Sequence, residues 1–84
     1  MEKQINQVQV QIMDEDYILS GEEQEDYITL LASYVDEKMR SIREKNAYLS
    51  KSRIAVLTAL NLADELTKLQ MQYDDLLQQI ADNQ

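Results

Sequence analysis

The sequence predicts an α+β chain in which an N-terminal β-hairpin packs on a helix and a long C-terminal helix follows, forming a dimeric coiled coil. Three observations carry this prediction. Gln7-Val8-Gln9-Val10-Gln11-Ile12 alternates polar and apolar residues, the period-2 signature of a strand with one buried face. Two later stretches repeat apolar residues at helical spacing, the second narrowing to a seam spaced 4, 3, 4, 3, 4. The 84 residues contain no proline and one glycine, too few turn formers for a sandwich or barrel.

In chain order, the strand over Gln4 to Met13 directs Val8, Val10 and Ile12 inward. Asp14-Glu15-Asp16 reads as a three-residue turn and Tyr17-Ile18-Leu19 as the returning strand. Two strands alone are marginal in water, so the hairpin needs a helix beneath it. Ser20 with Glu23 has capping-box spacing, which starts the first helix near Glu22. Its stripe is Tyr27, Leu30, Leu31, Tyr34, Val35, Met39 and Ile42. Arg43 and Lys45 suit the negative end of its dipole, and Asn46 is its stop.

Ala47-Tyr48-Leu49 forms a connector, and Ser50 caps a second helix running to about Asp82. From Ile54 to Ala63 eight of ten residues are apolar, which predicts that protein surrounds this part, with Asn61 a buried amide. Ala59, Leu62, Leu66, Leu69, Tyr73, Leu76 and Ile80 form the oligomer seam. No segment remains to cover that seam, so a homodimer is expected, and Leu77 widens the strip enough to admit a tetramer. Residues 1–63 are thus the expected head and residues 64–84 the expected stalk.

Composition excludes most chemistry. With no histidine and no cysteine, the commonest general base, every thiolate and the usual zinc ligands are missing. The Asp14-Glu15-Asp16 run lacks the spacing of a calcium loop, and one glycine cannot build a phosphate loop. No enzyme, cofactor, metal or small-molecule substrate is expected. A formal charge of −8 argues against nucleic acid, and no apolar run is long enough for a membrane span. The opening Met1-Glu2-Lys3-Gln4 is not that of a secretory signal, so a cytoplasmic protein is the expectation.

Charge is unevenly spread. Residues 14–26 hold seven acids and no base, whereas residues 36–53 hold six of the eight bases against three acids. That basic window is the part able to attract an acidic partner.

The strings Tyr34-Val35-Asp36-Glu37-Lys38-Met39-Arg40 and Ala59-Leu60-Asn61-Leu62-Ala63-Asp64-Glu65-Leu66, with Leu49-Ser50 and Arg53-Ile54-Ala55-Val56-Leu57 between them, resemble the ZapA family of bacterial cell-division proteins. The resemblance extends over essentially the whole chain. It implies a non-enzymatic, dimeric or tetrameric regulator that binds FtsZ and bundles or crosslinks its filaments at the mid-cell division ring. The family pattern carries a glycine and a basic residue at the hairpin turn, where this chain has Asp14 and Glu15. The expected FtsZ contact therefore falls on Lys38, Arg40, Arg43 and Arg53. The alternative is a generic coiled-coil oligomerisation or adaptor module without FtsZ binding.

Overall fold

A computed structural model describes residues 4–83, with β1 (Asn6–Ile12), β2 (Glu15–Gly21), α1 (Glu25–Lys45) and α2 (Lys51–Asp82) in that order. Residues 1–3 of the expected head and residue 84 of the expected stalk lie outside the described residues. β1 and β2 form a two-stranded antiparallel sheet that pairs Val8 with Leu19, Val10 with Tyr17 and Ile12 with Glu15.

This register corrects the three-residue turn. The loop is Met13-Asp14, both at positive φ (53° and 67°), as a tight hairpin turn with right-handed strand twist requires. Glu15 and Asp16 belong to β2. Face parity explains the outcome, because the observed pairing sets Tyr17 and Leu19 on the same side as Val8 and Val10. A loop of Asp14-Glu15-Asp16 would have brought Ser20 to that face instead.

Ser20 lies in the ladder opposite Gln7 and caps nothing. α1 begins later, after Gln24, whose carbonyl accepts from the Tyr27 and Ile28 amides at 3.1 Å. The predicted end is observed, with Asn46 at the C-cap and its Nδ2 donating to the Ile42 carbonyl at 2.9 Å. The face of α1 turned inward is Ile28, Ala32, Val35, Met39 and Ile42, at spacing 4, 3, 4, 3. Ile28 was absent from the predicted stripe, and Tyr27, Leu30, Leu31 and Tyr34 of that stripe are exposed. α1 carries two apolar faces, ~100° apart, and among the described residues only one is covered.

Ser50 caps α2 as predicted, its hydroxyl accepting from the Arg53 amide at 3.2 Å. Ile54 is 1% exposed, and the buried Thr58 hydroxyl donates to the Ile54 carbonyl at 2.8 Å. The expected all-round burial of residues 54–63 is not met within one chain: Val56, Leu57, Leu60 and Asn61 are exposed. One hairpin and one helix can cover only one side of α2.

The centre of the core is Met13, Met39 and Ile54, with Ile12, Val35, Ile42 and Leu49 packed around them. The chain is thin, with principal extents of 52 × 46 × 15 Å. Because Ile54 is the most enclosed side chain, Ile54→Ala should cost about 2 to 5 kcal/mol in urea denaturation. An unchanged midpoint would show that the core lies elsewhere.

Candidate partner-binding and self-association surfaces

Charged side chains from both helices converge on the hairpin tip. Asp36 Oδ1 accepts the Met13 amide at 2.7 Å, and its two oxygens take Arg40 Nε at 3.1 and 3.0 Å. Arg40 then reaches Asp14 Oδ1 through Nη2 at 2.9 Å. From α2, Lys51 Nζ donates to the Met13 carbonyl at 3.1 Å and pairs with Glu15 at 3.0 Å. Both backbone polar groups of Met13 are therefore satisfied by side chains from the two helices, while its thioether fills the core.

The electrostatics follow from these contacts. The Met13 amide, then Arg40, holds the Asp36 carboxyl below its ordinary value. The Lys51 ammonium, then the Tyr17 hydroxyl at 2.9 Å, lowers Glu15 in the same way, and Glu15 in turn raises Tyr17. Asp14 and Asp36 together raise Arg40.

The four cations expected to meet a partner divide into two kinds. Lys38 pairs with Glu65 of α2, and Arg40 is held between Asp36 and Asp14 of the hairpin tip. Lying two positions apart on α1, they point to different elements and do not form one patch. Arg43 and Arg53 form no ion pair among the described residues. Arg53 lines a groove of about 430 Å³ with Leu49, Val56 and Leu57.

The seven seam residues lie along one face of α2. Leu62 is half-buried beside Leu31, Tyr34 and Val35, and Ala59 is exposed. Beyond Leu62 every seam side chain is at least half exposed, from Leu66 at 68% to Ile80 at 50%. Polar neighbours of the seam are satisfied within the helix: Gln70 donates to Asp74 and Gln79 to Asp75, at 3.1 and 3.2 Å.

Sequence reasoning missed Asp36 and Lys51 as the clamps on Met13. Asp36 does carry a signal, since it sits one residue from Val35 on the hairpin-facing side of α1 and four from Arg40. Among the described residues there is no cluster of metal-ligating side chains and no helix long and apolar enough to cross a membrane.

A hairpin-and-helix head with an uncovered heptad seam on its last helix defines a small α+β protein built for self-association. The sequence profile described as Cell division protein ZapA matches residues 8–84, so the chain belongs to the ZapA family of cell-division proteins. A Cell division protein ZapA from Geobacillus sp. (strain WCH70) is 46% identical over 79 residues, covering 94% of this chain and 91% of that relative. Among solved structures, a ZapA mutant dimer from Geobacillus stearothermophilus is 38% identical and superposes with a TM-score of 0.72, covering 94% of this chain and 92% of that one. An unknown conserved bacterial protein from Pseudomonas aeruginosa PAO1 is 28% identical with a TM-score of 0.77, covering 93% of this chain and 87% of that one.

The depressed Asp36 carboxyl sets an acid limit. A carboxyl whose folded value lies below its unfolded value contributes fully above about pH 3.9, and that contribution is lost as pH falls through the folded value. Asp36→Ala, which strands the Met13 amide, should cost about 1 to 2 kcal/mol at neutral pH. It should also flatten the loss of stability below about pH 4 seen in urea titrations of the wild type. Identical acid slopes for the two proteins would remove Asp36 from this role.

Proposed function

We propose that this chain is a non-enzymatic cell-division regulator that binds FtsZ and bundles or crosslinks its filaments at the division ring in the cytoplasm, acting as a bivalent homodimer. The observation that carries this reading is the row Leu66, Leu69, Tyr73, Leu76 and Ile80, which none of the other described residues covers. Family membership and the dimer formed by a Geobacillus stearothermophilus ZapA mutant support pairing along this face. In the dimer, residues 64–84 act as the stalk and residues 1–63 as the head. Leu77, 48% exposed beside the seam, allows two dimers to join as a tetramer.

A dimer presents two copies of one contact surface. Weak binding by one head raises the effective concentration of the second at a neighbouring filament, so crosslinking requires no chemical step. The contact is assigned to Lys38, Arg40, Arg43 and Arg53. Arg43 and Arg53 supply most of the attraction, because Lys38 and Arg40 already face Glu65, Asp14 and Asp36. Such binding weakens as added salt shortens the Debye length.

Two measurements test the proposal. Leu69→Asp with Leu76→Asp should reduce the mass in sedimentation velocity to that of one 9.8 kDa chain and abolish the pelleting of FtsZ bundles. Unchanged association would place the interface elsewhere. Lys38→Glu with Arg43→Glu should leave the dimer intact and sharply reduce pelleting. Undiminished bundling would remove these cations from the contact, and a wild type without effect on FtsZ pelleting would leave only the oligomerisation module.

A further inference from the structure

α2 has a third face that neither the core nor the seam explains. Ile54 and Thr58 point into the core, while Ala59 and Leu62 mark the seam. Leu57 is two residues from Ala59, which places it ~160° round the helix from the start of that seam, with Val56 between the two at ~60°. Val56, Leu57 and Leu60 are nonetheless large, apolar and exposed. Val56 and Leu57 join Leu49 of the connector to line the groove of about 430 Å³, and Arg53 completes its wall. Tyr48, next to Leu49 in the chain, is wholly exposed.

The stretch of chain that forms this groove carries charge of one sign. No Asp or Glu occurs between Glu44 and Asp64, whereas Lys45, Lys51 and Arg53 do, in a chain of net charge −8. Lys51 is engaged with Glu15, but Lys45 and Arg53 form no ion pair among the described residues. The first turn of α2 also lacks an acid, so the partial positive charge of that helix end adds to theirs. An apolar groove with the unpaired Arg53 in its wall complements a segment that has an acidic group beside a large apolar side chain. A second copy paired along the seam leaves Leu57 and Arg53 open, because both lie on the far side of α2 from it.

We propose that the elbow between α1 and α2 docks an acidic peptide segment, seating one large apolar side chain against Leu49, Val56 and Leu57 with Arg53 over a flanking carboxylate. The inference deepens the filament-binding reading and rests on it for the identity of the partner, though not for the chemistry of the groove. The flanking acids supply attraction from a distance, and the apolar anchor supplies residence.

The test uses the full chain and a short fluorescein-labelled peptide in which Asp and Glu flank a central Leu-Phe pair, read by fluorescence anisotropy. A control peptide has Ser-Ser at the centre. The Leu-Phe peptide should bind, and the control, Arg53→Glu and Leu57→Ser should each weaken binding by about tenfold, as loss of an anchor does. Circular dichroism and sedimentation of both variants should match the wild type. No binding by the wild type, equal binding of the two peptides, or undiminished binding by Arg53→Glu would overturn the proposal. A lower sedimentation coefficient for Leu57→Ser would also overturn it, by assigning the groove to contact between copies. FtsZ pelleting run in parallel separates the two readings. Peptide binding without pelleting removes the filament reading alone, and pelleting without peptide binding removes the groove alone.

Discussion

Two side chains from different helices close on Met13, and the placement of every element follows from that closure. Asp36 of α1 takes its amide and Lys51 of α2 takes its carbonyl. A non-glycine residue at positive φ costs of order 1 kcal/mol or more, and Asp14 shares the same unfavourable region. That conformation persists because the Met13 side chain is buried against Met39 and Ile54 while its backbone is held from both sides. The hairpin register, the seat of α1 and the start of α2 are thereby fixed at one point.

The same point limits how much positive charge the head can offer. Asp14 and Glu15 stand at the tip, where they engage Arg40 and Lys51. These pairs are exposed, so each adds little to stability. Their effect is on the field: cations that would otherwise face outward are matched by acids beside them. Arg53, without an ion pair among the described residues, remains at the elbow with apolar side chains beside it. The thinness of the chain has a related origin. With one small sheet and two helices, each helix can bury one face, and the residual apolar rows of α1 and α2 stay at the surface.

What could be read from the residues was what depends on near neighbours. The alternation through Val8, Val10 and Ile12, the stop at Asn46, the Ser50 cap and the heptad spacing from Leu62 to Ile80 are each set within a few positions. The hairpin turn was misplaced because Asp14-Glu15-Asp16 has better turn chemistry than Met13-Asp14, and the burial that overrides it comes from Met39 and Ile54. The same holds for the inward face of α1, where Ile28 and Tyr27 compete and contact with the hairpin decides. Of the proposed contact residues, Lys38 and Arg40 have partners 27 and 26 positions away. Linear spacing carries no trace of such pairings.

The amides beside the seam of α2 spend their hydrogen bonds along their own helix, on Asp74 and Asp75. A strip flanked this way discriminates among companions by side-chain shape and spacing, with little electrostatic veto. The amides adjoining the row set no charge pattern that a second helix would have to match. In the proposed dimer, the fit of side chain against side chain would thus decide the register of the two helices.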